Sequence, residues 1–590
     1  MAAALARHRP GQERVVNAMH PLPRAWLARC RATPEATALR HKRRGIWHAT
    51  TWSDYLAKVT AVALALDAQG LDPGDVVSIV SESRPEFLFV DMAVQCMGLV
   101  SHGIYPTCTA EDIGHQLREA GSRAVFVENA EQAAKVLQAG TAPAPVRLVV
   151  VFDARGLREL DDARLVAFDP FIATAAQHSR PKVFQQRLES LGPAEVAFLA
   201  STAGTTGHAR LVAISHDGAS RRAQQLAAAL DSEPTPRVLC FVPLASVGER
   251  MFSAALPLLR GVDLHFAESP ATVLNDLREV QPHWVHAPPR FWEKLQAGTD
   301  SASLLAVASS QRLYHRAVTQ GASGPLPRAA RRQIRRSLGL AETRLALSGG
   351  AGLATGAAHW YAGLGIGLID VYESAECCGP AFVVGGQGGL AALDTSARVN
   401  EEGELQLRCD ARAAGYWRTG RLEALQLTED GWLRSGDLAD ISGGTVLRVA
   451  GRLADTFTLS GGQRVVPGPI ENSLHANMYI AAALLAGEDR PQCACVLSLE
   501  ESSVLRYAQS RGISFTDYGS LVGRPEIHDL VSEQIEVINA GLAEHQRIRG
   551  FQLLPRMLRS TDAEMTPLMR LQRQRVRQSF GCDPLAQQPG

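Results

Sequence analysis

At 590 residues the chain is too long to close around one hydrophobic core, so several subdomains are expected. Lys+Arg and Asp+Glu both number 60, and the resulting zero net charge offers no basic footprint for nucleic acid or another polyanion. No run of about 18 apolar residues is present to span a bilayer, and the start M-A-A-A-L-A-R-H-R-P has no apolar stretch before a cleavage site, so no signal peptide is expected. Residues 76–80, V-V-S-I-V, are rich in β-branched side chains and predict a strand, followed by a helical pattern over 87–97. Further strands are predicted at 124–127, 148–152, 196–200 and 238–241. This alternation implies an α/β fold whose mostly parallel sheets carry helices on both faces. Residues 301–336 are Ala/Arg-rich and helical by composition. After residue 451 a smaller α+β unit is predicted, with strands at 481–486 and 493–499, a helix at 527–543 and an Arg-rich surface segment at 570–577.

The most informative segment is 201–212, S-T-A-G-T-T-G-H-A-R-L-V, directly after an apolar strand. Hydroxyl residues alternate there with glycines, so backbone N–H groups can converge while no side chain blocks approach. Thr202, Thr205 and Thr206 add hydroxyl donors, and Gly204 and Gly207 keep the turn open. Such a pattern can cradle phosphate oxygens, and by itself it also fits an ordinary Gly/Thr-rich surface turn. The close cysteine pairs, Cys377 with Cys378 and Cys493 with Cys495, have no second Cys/His cluster at zinc spacing, so buried free thiols are expected there.

The loop resembles the phosphate loop of adenylate-forming (AMP-binding) enzymes, [ST]-S-G-T-T-G-x-P-K-G, and further landmarks follow in family order. A-L-S-G-G-A-G at 346–352 resembles the adenine-side turn, and Y-E-S-A-E at 372–376 stands where Y-G-x-T-E is expected. G-W-L-R-S-G-D at 431–437 resembles D-G-W-x-x-T-G-D, and G-R-L-A-D at 451–455, continued by 461–471, resembles G-R-x-K-D. M-T-P-L-M-R-L-Q-R at 565–573 is similar to the terminal L-T-P-T-x-K-L-K-R. Within that superfamily, 239–251 and 275–296 resemble segments of long-chain acyl-CoA synthetases.

The resemblance implies a large N-terminal domain of several subdomains over 1–452 and a small mobile C-terminal lid over 453–590. It implies a ligase that joins a fatty acid, expected to be long-chain, to ATP and then to coenzyme A through an acyl-adenylate. The implied cofactors are ATP, Mg²⁺ and coenzyme A. Arg570, Glu376 and Thr202 would be catalytic, with Glu376 also the Mg²⁺ ligand. Gly204, Thr205, Thr206, Gly207 and Arg210 would hold phosphates, while Gly349, Gly350 and Tyr372 would line the adenine. Asp437 and Arg452 would hold the ribose, and Gly461 and Gly462 the pantetheine arm. Partners are expected to be these small molecules, without nucleic acid, in the cytoplasm. A peripheral membrane contact stays open, because long-chain acids partition into bilayers.

Several positions depart from the family pattern. The lysines are Lys42, Lys58, Lys135, Lys182 and Lys294, so the terminal catalytic lysine is replaced, with Arg570 in its place and Arg210 in that of the loop lysine. Guanidinium keeps the charge but is a planar fork, not a compact ammonium. Ala203, Ala209 and Leu211 replace serine, proline and glycine; Leu211 would be strained wherever a positive φ is needed. Ala375 removes a hydroxyl and Glu373 adds a carboxylate where a glycine is expected beside phosphate. Ser246 replaces a histidine, and Ala454 sits at the hinge position. These changes also fit a catalytically impaired relative that binds nucleotide or acyl group as a regulator or non-adenylating partner.

Overall fold

The computed structural model describes residues 21–139, 146–177, 180, 182–202, 209–230, 235–304, 308–319, 324–353, 355–384, 391–442, 446–559, 562–566 and 571–580. They fall into two compact units, one within Met1–Thr202, Arg210–Ser396 and Leu407–Leu433, the other within Ala203–Ala209, Ala397–Gln406 and Arg434–Gly590.

The larger unit is built on two nine-stranded sheets. The first runs Ala391–Ala392, Gly379–Val384, Leu368–Ser374, Leu345–Gly349, Trp284–Ala287, Arg237–Cys240, Asp263–Phe266, Thr37–Arg43, Ile46–Thr51. It is parallel from Leu368–Ser374 to Thr37–Arg43 and antiparallel at its two edges. The second is parallel through Val196–Ser201, Val100–Ile104, Val76–Val80, Ser122–Val127, Leu148–Val151 and Leu165–Ala167. Leu211–Ser215, Gly415–Arg418 and Arg421–Glu423 extend it antiparallel. The V-V-S-I-V of Val76–Val80 is buried throughout, as a strand covered on both faces must be. Helix Pro85–Cys96 starts on a proline and buries every residue except Glu86, because its F-L-F-V and M-A-V stretches leave no polar face. Trp26, Phe87, Phe126, Phe171 and Phe266 are among the largest fully buried side chains of this core.

The smaller unit has its own core. The strands Ile480–Ala486, Cys493–Leu499 and Ile548–Leu553 form one sheet, packed with Pro467–His475, Glu501–Arg511 and Pro525–Asn539. The expected cysteine pairs, Cys377 with Cys378 and Cys493 with Cys495, are buried free thiols. Among the described residues no helix is long and apolar enough to cross a membrane.

Two local expectations need correction and one is refined. The stretch 301–336 is helical as expected, in separate pieces among the described residues. Pro289–Leu304 and Ala308–Tyr314 are followed by a π-helical turn, His315–Thr319, and the chain restarts at Pro325–Leu338, where Gly324 and Pro325 set a new N-terminus. The 527–543 helix ends earlier, at Asn539, whose side chain leaves the helix to bond both the N–H and the C=O of Ile548. The Arg-rich tail is only partly a surface. Arg577 is exposed, but Arg573 turns inward to the Glu471 carboxylate at 2.6 and 2.7 Å and to the Leu485 carbonyl at 3.0 Å. A buried carboxylate needs such a partner.

Candidate active site

Strands Trp284–Ala287, Leu345–Gly349 and Leu368–Ser374 run parallel side by side and end at a common carboxyl edge. In open α/β sheets that edge is where ligands bind. Gly349 closes its strand, and Gly350 turns the chain with φ +84° and open space where a Cβ would stand. Tyr372 lies on the neighbouring strand, its ring 6.2 Å from Phe382.

Just beyond this edge, Glu376 accepts hydrogen bonds from the hydroxyls of Ser374 at 2.6 Å and Tyr416 at 3.2 Å. The Arg210 guanidinium lies over the Tyr416 ring, 4.6 Å from its centroid, and its side chain is exposed. Arg210 also anchors the loop mouth: its N–H donates to Thr202 Oγ1 at 3.0 Å, and its carbonyl accepts from Thr202 N–H at 2.9 Å. Thr202, Arg210, Tyr416, Ser374 and Glu376 are thereby brought together. Gly204, Thr205, Thr206 and Gly207 lie outside the described residues, as does Arg570. Leu211 needs no positive φ. It pairs with Ser201 in an extended ladder and is buried, so the strain anticipated there does not arise.

Asp437 and Arg452 belong to the other unit. The antiparallel register of Leu433–Ser442 with Val446–Arg452 sets them opposite one another, with Arg452 Nε 3.1 Å from Asp437 Oδ1. Ser435 steadies the pair: its hydroxyl accepts from the Asp437 N–H at 3.0 Å, and its carbonyl accepts from Arg452 at 3.1 Å. Gly461 and Gly462 form a tight turn closed by Gly462 N–H to Leu459 O at 2.8 Å, and Gly462 has φ +81° with no atom within 4 Å of a built Cβ.

Glu373 is arranged differently from the expectation of a bare charge beside phosphate. Its carboxylate reaches across strand Leu345–Gly349 to His286, with Nε2 donating to Oε1 at 3.0 Å. His286 Nδ1 donates to Glu249 Oε2 at 2.8 Å, and Phe252 stacks on the imidazole at 4.5 Å. All three charged side chains are buried. Burial alone favours neutral His286, but Glu373 and Glu249 outweigh it, and the imidazole pKa is raised to about 10. With both ring nitrogens facing carboxylates, His286 is an imidazolium. Nearby, burial raises Asp370 to about 7, against the Leu353 N–H that its carboxylate accepts at 3.2 Å.

Sequence reasoning singled out Glu373 but missed its partners. His286 and Glu249 lie in the segments 275–296 and 239–251, whose resemblance to long-chain acyl-CoA synthetases singles out neither residue. The signal available was a histidine inside the four-residue strand Trp284–Ala287 and a glutamate just after an apolar run. The imidazolium has a pH consequence. A pKa raised from 6.5 to about 10 on folding adds stability that is complete below pH 6.5 and is lost as pH rises through 10. The melting-temperature gap between the wild type and His286→Asn is therefore expected to be wide at pH 6 and to narrow steadily towards pH 10, measured by calorimetry.

The AMP-binding enzyme family matches residues 26–417, and the AMP-binding enzyme C-terminal domain matches residues 454–582. The long-chain-fatty-acid--CoA ligase FadD15 of Mycobacterium bovis is 27% identical over 568 residues, covering 91% of this chain and 92% of that protein. The mouse long-chain-fatty-acid--CoA ligase ACSBG1 is 23% identical, covering 92% and 82%. Among solved structures, the A domain of the Segniliparus rugosus carboxylic acid reductase, in complex with AMP and a co-purified carboxylic acid, superposes with a TM-score of 0.74 at 16% identity, covering 98% and 96%. The anthranilate CoA ligase AuaEII, in complex with anthranoyl-AMP, gives 0.69 at 15%, covering 96% and 98%. At these identities the superpositions establish the fold: a large α/β domain with mixed sheets and helices, plus a smaller C-terminal domain.

Proposed function

Since this chain belongs to the AMP-binding enzyme family, we propose that it joins a fatty acid, long-chain as in the relatives' names, to ATP as an acyl-adenylate with release of pyrophosphate. Coenzyme A then displaces AMP to give the thioester. The observation that carries the reading is the Arg210–Tyr416–Glu376–Ser374 chain at the carboxyl edge of the parallel strands, with Arg210 paired to Thr202.

A carboxylate and a triphosphate repel one another, so the first step depends on positioning and on fixed positive charge. Arg210 supplies a guanidinium where the loop begins its return strand, and Thr202 to Gly207 supply N–H and hydroxyl donors. Arg570 is proposed to bridge the two anions from the tail. Glu376 suits Mg²⁺: its oxygens are hard ligands, and two hydroxyls hold its orientation. An ion there would be held by that one carboxylate, by water and by the substrate's phosphates. When bound, that ion would neutralise phosphate charge. Tyr372, Gly349 and Gly350 are proposed to line the adenine, Asp437 and Arg452 to take the ribose hydroxyls, and Gly461 and Gly462 to leave room for the pantetheine arm. The functional division is proposed at 1–452 and 453–590, supported by a C-terminal-domain match that starts at residue 454.

The test is incubation of the pure protein with ATP, Mg²⁺, coenzyme A and a ladder of fatty acids, with acyl-CoA and AMP read by chromatography. Formation of both is expected; ATP binding without AMP from any acid would favour the second reading, a non-adenylating relative, to which the methyl side chain of Ala375 lends support. Asp437→Ala removes a charged acceptor that is worth about 1.5–3 kcal/mol, so KM for ATP is expected to rise about tenfold or more with kcat changed much less. Steady-state kinetics with ATP varied will check this.

A further inference from the structure

Two glycines bracket one space at the carboxyl edge of the parallel strands, and a single side chain fills it. A Cβ on Gly349 would stand 2.6 Å from Glu373 Oε1, and a Cβ on Gly248 would overlap the same carboxylate. The carboxylate stays there because His286 donates to it at 3.0 Å, and His286 is held in turn by Glu249. One imidazolium between two carboxylates leaves the cluster with a surplus negative charge. Glu373 Oε1 is committed to His286, yet a carboxylate accepts several hydrogen bonds, so acceptor capacity remains. Glu373 lies at the carboxyl end of strand Leu368–Ser374, the edge of the sheet where ligands bind in open α/β folds and where the reacting carboxyl group is proposed to sit. An unsubstituted alkyl chain laid against it would strip water from a charged oxygen and return no hydrogen bond, which is costly. A hydroxyl on the chain would replace the lost water.

We propose that Glu373, clamped by His286, is a specificity-determining residue that selects fatty acids carrying a hydroxyl group near the carboxyl end over unsubstituted ones. The proposal rests on the fatty-acid reading above and refines its substrate class. The test measures affinities of hexadecanoate, 2-hydroxyhexadecanoate and 3-hydroxyhexadecanoate on the full-length protein, by displacement of a fluorescent long-chain acid, with Mg·ATP titrated separately into the same samples. The wild type is expected to bind at least one hydroxy acid tenfold or more tighter than hexadecanoate. Glu373→Gly is expected to reverse that order, and the isosteric Glu373→Gln, which keeps the packing should the glycine variant fold poorly, to reduce the preference below about threefold. Equal affinity of the wild type for hexadecanoate and both hydroxy acids would overturn the proposal and leave the fatty-acid reading standing. So would a preference unchanged in both variants. Mg·ATP binding with no binding of any of the acids would instead overturn the fatty-acid reading, and this proposal with it.

Discussion

Replacing Glu376 by glutamine is expected to lower acid-dependent AMP formation about a hundredfold or more, while the melting temperature stays close to that of the wild type. The carboxylate is oriented by Ser374 at 2.6 Å and by Tyr416 at 3.2 Å, so it is preorganised before substrate arrives. Losing one preorganised electrostatic contact at a reacting centre costs roughly 3 kcal/mol, which is about two orders of magnitude in rate. Glutamine keeps the volume and one carbonyl oxygen but loses the charge that a divalent ion requires. Tyr416→Phe leaves the charge and removes one of the two orienting hydroxyls, so its loss should be smaller, about three- to tenfold. Single-turnover AMP release together with thermal melting separates these outcomes from misfolding.

The second large effect is expected in stability. Asp91→Ala should destabilise the larger unit by about 3–5 kcal/mol, because it leaves a buried guanidinium without its counter-ion. Arg250 and Asp91 are both almost fully buried and hydrogen-bonded to one another. Burial lowers the Arg250 pKa and Asp91 opposes that shift. Arg250 also donates to Ser101 at 2.9 Å and lies over Phe198, 4.3 Å from the ring centroid. Those contacts alone cannot offset a lost carboxylate, and Arg250 Nε already has no partner. The double replacement Arg250→Met with Asp91→Ala should recover much of the loss, since an apolar side chain there removes the stranded charge. Denaturant midpoints of the single and double variants measure the difference.

The elements that the sequence revealed are those whose pattern is local. Val76–Val80 and Cys493–Leu499 are β-branched or small-residue runs flanked by turns, and they are buried strands as expected. Motif spacing singles out Glu376, Thr202 and Arg210, and the fold brings them into one neighbourhood. What pattern could not reveal is pairing between distant segments. Glu249, His286 and Glu373 come from a helix and two strands far apart in sequence, and only the fold makes them partners. Asp91 and Arg250 are hidden for the same reason: each sits in an apolar helical stretch where an isolated charge carries no mark of its partner. Leu211 shows the opposite case, a motif departure that looked costly and is absorbed by the extended backbone there. Arg573 shows how composition misleads, because an Arg-rich helix reads as surface while one of its arginines closes an ion pair with Glu471.

A site with arginine in place of both family lysines is expected still to activate a carboxylic acid at the expense of ATP. Exchange of labelled pyrophosphate into ATP isolates that first half-reaction, without coenzyme A and without turnover of the thioester step. With Mg²⁺ and a fatty acid present, the label is expected to enter ATP at a rate that depends on the acid and collapses in Glu376→Gln. No exchange with any acid, in protein that demonstrably binds Mg·ATP, would contradict the account.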